Sequence, residues 1–307
     1  MKLVSIADNP APGGAIAGSV KTRDGVSLRF ARWDSQSRAK GTIVLAQGRT
    51  EFIEKYFEVV RELRSRGFSV VTFDWRGQGL SERALADGRK GHVESFAQYD
   101  LDLEAVMAQI VRPHCSAPFI GFAHSMGAAV LLRSAAGKDY HFERIVLTSP
   151  MVGLAGLASS ALARGAAYAM RFLGFGTSYV PGGSGKDVRP FAGNKHTSDP
   201  QRYARIAAIL EAEPALGIGS PTIAWTDAAL EAMHEFDEAS YPARIRDRTL
   251  IVAAGADEIA STPASKAFAS RSGAITHIVI DNAKHELLIE QDRFRAQFWS
   301  AFDSFVA

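Results

Sequence analysis

A chain of 307 residues with 47% apolar and 22% charged side chains has a globular composition and can bury one large α/β core with a subdomain. Its 35 basic and 33 acidic residues leave a net charge of +2 without a basic tract, which excludes a nucleic-acid partner. The one cysteine, Cys115, excludes an intramolecular disulfide and a thiolate metal cluster, and its place before an apolar strand marks it as a buried structural thiol.

Residues 1–18 hold Lys2, Asp8 and two prolines but no continuous apolar h-region, and no later window is an uninterrupted apolar span. The expectation is a cytoplasmic protein without stable membrane insertion. Residues 17–33 read as a hairpin, with Val26, Leu28 and Phe30 alternating after an Asp24-Gly25 turn. The run 41–46 is a buried strand by its continuous apolar character, and it ends in the polar loop Gln47-Gly48-Arg49-Thr50-Glu51. A helix with Tyr56, Val60 and Leu63 on one face stops near Gly67, and a strand at 68–73 precedes Asp74-Trp75-Arg76-Gly77-Gln78-Gly79-Leu80-Ser81. Ser95-Phe96-Ala97-Gln98 reads as a capping box for a helix whose core face is Tyr99, Leu103, Val106 and Ile110.

Next comes an apolar strand that meets Ala123-His124-Ser125-Met126-Gly127 and a helix of small residues running to about Ala136. That is the context of a nucleophile elbow, where a sharp strand-to-helix turn lifts a serine hydroxyl above a sheet. A strand at 145–147 closes on Ser149-Pro150. From 151 to 240 the alternation stops: helical segments at 157–173, 203–211 and 228–236 surround glycine-rich and polar loops, with no strand pattern. The sheet resumes at 249–254 and 275–280, and a last helix carries Phe294, Phe298, Phe302 and Phe305. The expected class is therefore α/β, a mainly parallel sheet with helices on both faces. Residues 1–150 and 241–307 form its core, and 151–240 a helical cap.

Active groups in open α/β sheets gather beyond the carboxyl ends of the strands. Ser125 lies there, as do Asp257 after the strand 249–254 and His285 after the strand 275–280. Serine needs an imidazole to take its proton, and the imidazole needs a carboxylate to fix its tautomer. The order Ser125, Asp257, His285 meets that need, with Glu258 and Asp281 as rival carboxylates. An oxyanion would accept from the backbone N–H of Met126 and, from the loop after 42–46, of Arg49. Gln47, Gly48 and His124 are candidate pocket residues. His92, His114, His141, His196, His234 and His277 show no partner spacing, and no metal-ligand spacing occurs.

Together with Gly91-His92-Val93, Gly255-Ala256-Asp257-Glu258-Ile259 and Lys284-His285-Glu286-Leu287-Leu288, these segments resemble the α/β-hydrolase serine hydrolases that include monoacylglycerol lipases and bacterial lysophospholipase L2. The family usually has His-Gly where this chain has Gln47-Gly48, and Gly where it has Ala123. The resemblance implies the same triad and oxyanion donors, no cofactor, and an ester or single-chain lipid as substrate. Rival readings are a small-ester carboxylesterase, an aminopeptidase using Glu211, Glu213 or Glu231 for a free amine, and a non-catalytic binding protein. The oligomeric state is not encoded in any of these motifs.

Overall fold

The computed structural model describes residues 2–137, 142–156, 160–186 and 190–307; His141 and the first residues of the helix expected at 157–173 lie outside them. The hairpin forms as expected. β1 (Ala15–Lys21) and β2 (Ser27–Trp33) pair antiparallel, and Gly25 in their turn has φ of 90°, a left-handed conformation that costs glycine nothing. β3 (Thr42–Ala46), β4 (Ser69–Phe73), β5 (Phe119–His124), β6 (Arg144–Thr148), β7 (Arg248–Ala254) and β8 (Ile275–Ile280) complete one sheet. Its order is β1-β2-β4-β3-β5-β6-β7-β8, with β2 antiparallel to β4 and every later pair parallel.

The helices are α1 (Phe57–Ser65), α2 (Ala97–Val106), a short α3 (Arg112–His114), α4 (Ser125–Ala136), α5 (Ser160–Met170), α6 (Pro200–Ala212), α7 (Ile223–Asp237), α8 (Thr262–Ala269) and α9 (Asp292–Val306). Successive strand side chains point to opposite faces. Val44 and Ala46 accordingly join one apolar cluster with α2, α4 and α7, while Ile43 and Leu45 join another with α1 and α9. On the second face Phe298 stacks on Phe122 with ring centres 5.5 Å apart. No helix of the described residues is long and apolar enough to cross a membrane.

Several expectations need correction. The capping box forms one step out of place: Ser95 Oγ accepts from Ala97 N–H and Gln98 Oε1 from Glu94 N–H. α8 has no counterpart among the expected elements, and α6 and α7 each begin before the positions expected. α7 starts where Thr222 Oγ1 accepts from Trp225 N–H at 3.2 Å, an N-cap that extends it by a turn. Cys115 and Phe305 are half-buried, because both sit at the rim of the core.

A charge cluster binds α6 to the core. Glu58 on α1 meets Arg202 at 2.7 Å and Arg205 at 2.7 Å from α6, and Arg295 at 3.2 Å from α9. Burial opposes ionisation of Glu58, but these three guanidinium groups outweigh it and bring its pKa from 4.5 to about 2. A folded pKa below the unfolded one adds stability above pH 4.5, and that stability is lost as pH falls toward 2. Glu58→Gln should therefore cost about 1–2 kcal/mol at neutral pH after allowing for partial exposure. In thermal melts the gap to the parent protein should close progressively below about pH 4.

Candidate active site

β5 runs extended to His124, and the chain then turns into α4 through Ser125, whose φ is 50°. A non-glycine residue held there stores strain of order 1 kcal/mol and lifts its side chain out of the regular geometry. The neighbouring small residues have separate causes. Ala123 is level with Ala46 of β3 in the sheet and is fully buried. A Cβ at Gly127 would lie 2.4 Å from the Gln47 carbonyl oxygen and 2.6 Å from that of Ala46. Only glycine lets the first turn of α4 lie against the end of β3.

The turn aims Ser125 at groups from two later strands. His285 Nε2 lies 3.1 Å from Ser125 Oγ, and His285 Nδ1 lies 2.7 Å from Asp257 Oδ2. The carboxylate can only accept, so Nδ1 carries the proton and Nε2 accepts from the serine hydroxyl. Asp257 Oδ1 accepts from Ile259 N–H at 2.8 Å and Ala260 N–H at 2.9 Å. Burial would raise the Asp257 pKa, yet the His285 hydrogen bond and these two N–H groups hold it below the usual range. The rivals are elsewhere: Glu258 is exposed and pairs with Lys195 at 3.2 Å, and Asp281 is exposed.

The two expected N–H donors are available. Met126 lies in the unpaired first turn of α4, and Arg49 N–H has no acceptor among the described residues. Its neighbours are committed, Gly48 N–H to Glu51 Oε2 and Thr50 N–H to Gln78 Oε1 at 2.6 Å. Of the expected pocket residues, His124 lines the cavity and Gln47 and Gly48 do not. Gln47 is fully buried because its amide turns inward, donating to Thr72 Oγ1 at 3.1 Å. Burial lowers the His124 imidazole to about 4, and the neutral ring packs 4.7 Å from that of His285.

Beneath these rings lies a buried charge network. Lys55 Nζ meets Glu51 Oε1 at 2.5 Å and Glu286 Oε2 at 2.7 Å, Tyr56 donates to Glu51 at 2.6 Å, and His196 Nδ1 lies 2.9 Å from Glu286 Oε1. Burial disfavours each charge, but mutual attraction overcomes it: Lys55 is raised, Glu51 lowered and Glu286 lowered well below the carboxylate range. Glu51, His124 and Glu286 offer ligand atoms within 4.8 Å of one another. The Lys55 ammonium already supplies the cation between the carboxylates, so the cluster does not fit a metal ion. No sequence spacing gives His196 a partner. The Glu51–Lys55 spacing of one helical turn is the only sign of this network in the sequence.

A cavity of about 370 Å³ opens over Ser125. Arg49, Thr50, Lys186 and His196 line it, as do Met151, Leu154, Leu230, Met233 and Ile259.

Residues 37–292 match the sequence model of the Hydrolase_4 family, described as serine aminopeptidase, S33. The chain is also 31% identical over 286 residues to lysophospholipase L2 of Escherichia coli (strain K12), covering 89% of this chain and 82% of that one. It belongs to this family of α/β hydrolases. The Hydrolase_4 fold is shared with a soluble variant of monoglyceride lipase from Saccharomyces cerevisiae, at a TM-score of 0.74 and 17% identity over 95% of this chain and 96% of that one. A thermostable carboxyl esterase from Bacillus coagulans matches at a TM-score of 0.75 and 14% identity over 96% of this chain and 100% of that one.

In this Hydrolase_4 chain Glu211, Glu213 and Glu231 do not reach the cavity wall: Glu211 is exposed, Glu213 accepts from Ala215 N–H at 3.3 Å and Glu231 pairs with Arg164 at 3.2 Å. The acids that do line it, Glu51 and Glu286, share the one ammonium of Lys55. Lys55→Met would strand two buried carboxylates and should cost about 3–5 kcal/mol in urea unfolding at neutral pH. Adding Glu286→Gln should recover part of that loss.

Proposed function

We propose that the protein is a serine ester hydrolase working through an acyl-enzyme, with single-chain lipid esters as substrates. The observation that carries this reading is the unbroken chain from Ser125 Oγ through His285 to Asp257, at 3.1 and 2.7 Å, built on a left-handed serine. His285 Nε2 takes the Ser125 proton as the oxygen attacks the ester carbonyl carbon. The oxyanion accepts from the N–H groups of Arg49 and Met126, which carry no competing acceptor. Asp257 stabilises the imidazolium, and its depressed pKa keeps it ionised while it does so. The imidazolium then returns its proton to the leaving alkoxide. Water enters and attacks the acyl carbon as His285 takes its proton; the acyl–Oγ bond then breaks while the imidazolium returns that proton to Ser125 Oγ, releasing the acid.

Residues 151–240 serve in this reading as the cap that shapes the cavity. Along α7 the wall changes from Trp225 and Thr226 to Ala229, Leu230 and Met233, which suits a substrate with one polar end and one apolar chain. The relative named lysophospholipase L2 and the neighbour named monoglyceride lipase agree with that class. An aminopeptidase would need an unpaired acid for the substrate amine, and the cavity presents Arg49 and Lys186 instead.

Ser125→Ala should abolish hydrolysis of p-nitrophenyl esters, by up to about a million-fold in kcat if the three groups act as a unit. Asp257→Asn should lose about ten-thousand-fold through the wrong tautomer. Stopped assays on the folded variants test both, and full activity in Ser125→Ala would overturn the assignment. An acyl-chain-length series tests the substrate class, with a preference for two-carbon acyl groups counting against lipid esters.

A further inference from the structure

One charge at the active site has no counter-ion among the described residues. Arg49 lines the cavity with Ser125, and its Nη2 donates to the Gly219 carbonyl at 2.7 Å. Its Nε is buried without an acceptor, and no carboxylate comes within ion-pair distance among the described residues. The guanidinium is instead held 5.0 Å from the centre of the Trp225 ring, whose Nε1 is tied to Tyr99 Oη at 3.0 Å. A Cβ on Gly91 would lie 2.8 Å from Arg49 Nη2, so a bare backbone makes room for it. Burial lowers its pKa to about 10, with only Tyr99 acting in the opposite direction.

A cation desolvated in this way is costly unless an anion completes it. Among the described residues, no acid of the cavity wall does so. Glu51 and Glu286, the carboxylates in the wall, are already bonded to Lys55, and Glu286 also to His196. Lys186 adds a second positive charge on the same wall, two residues beyond Ser184, whose carbonyl accepts Ser220 N–H at 2.9 Å. Trp225, which holds Arg49, and Met233 are eight residues apart on α7, about 12 Å along the helix. The cationic part of the cavity and its apolar part are therefore separated along α7.

We propose that the Arg49 guanidinium binds the phosphate of a single-chain phospholipid, with the head group toward Trp225 and the acyl chain toward Met233. This rests on the ester-hydrolase reading and adds its head-group specificity. Arginine suits the task because its fork of N–H donors matches phosphate oxygens and keeps its charge even when its pKa falls.

The test compares two esters that differ only in the phosphate, octanoyl glycerol phosphate and monooctanoylglycerol, below their aggregation concentrations. The wild-type chain should favour the phosphorylated ester in kcat/KM, chiefly through KM. Arg49→Met should reduce that preference by about ten-fold or more, and Arg49→Lys should retain part of it. Glycerol phosphate should compete with substrate while glycerol does not, a measurement on the wild type that stands even if the variants fail to fold. An unchanged preference in Arg49→Met, or no competition by glycerol phosphate, overturns the proposal. Inhibition by inorganic phosphate without any preference for the phosphorylated ester would make this a free-anion site and overturn it equally. Inhibition by octanoate that is stronger than by glycerol phosphate and weakened in Arg49→Met would put the anion on the acyl side and also overturn it. Undiminished hydrolysis of both esters by Ser125→Ala would instead strike at the hydrolase reading itself.

Discussion

The contact on which the site depends is the approach of the first turn of α4 to the end of β3. Gly127 sits so close to the carbonyl oxygens of Ala46 and Gln47 that a methyl group would come within 2.4 Å of one and 2.6 Å of the other. Ala46 and Ala123 are level in the parallel pair β3 and β5, so both strands end at the same height. The Gln47 carbonyl is held from its other side by Trp75 Nε1 at 2.8 Å. A bulkier residue at 127 would lift α4, and with it Ser125 and the Met126 N–H, away from the loop that carries Arg49. The backbone strain at Ser125 is tolerable because packing on both sides leaves the turn no room to relax.

The loop after β3 is ordered in a different way. Thr50 has φ of 66°, outside regular structure, and side chains supply the order. Glu51 accepts from Gly48 N–H and Tyr56, Gln78 accepts from Thr50 N–H, and Lys55 bridges Glu51 and Glu286. A buried pair of carboxylates around one ammonium is not evidence of net stability, because desolvation consumes much of the attraction. It does fix geometry. Glu286 follows His285 directly, so the Lys55 bond ties the strand end that carries the imidazole to the loop that carries Arg49.

Much of this is legible in the sequence for a definite reason. Parallel strands buried on both faces read as continuous apolar runs, and their carboxyl ends converge on one edge, so Ser125, Asp257 and His285 can be placed on that edge from the elbow motif and strand order. The hydrogen bonds to His285 distinguish Asp257 from its rivals Glu258 and Asp281. The stripe Phe294, Phe298 and Phe302 marks its own buried face. What stays hidden depends on contacts between distant segments. Arg29 falls on a strand that alternates as if half-exposed, yet it is fully buried between Glu54 and Asp74. His196 and Glu286 meet across 90 residues of sequence, and nothing local in either segment announces the other. The Gln47 amide is of a kind that could face the pocket, but Thr72 on the neighbouring strand turns it inward.

The segment 151–240 also proves to be less uniform than its composition suggests. α7 buries Trp225, Leu230 and Phe236 in the same apolar cluster as α2 and α4, while the stretch from α5 onward leaves Leu162 and Phe172 each 80% exposed. One helix therefore serves both as core and as cavity wall. Trp225 on it holds Arg49, and Leu230 and Met233 on the same helix border the cavity. Interior packing of α7 therefore sets where its wall residues stand relative to Ser125. On α5 the exposed Leu162 contrasts with Ala167, which is buried in that same cluster. Substitutions on the cavity face of α7 must satisfy both the core and the shape of the cavity, because Trp225, Leu230 and Met233 belong to both.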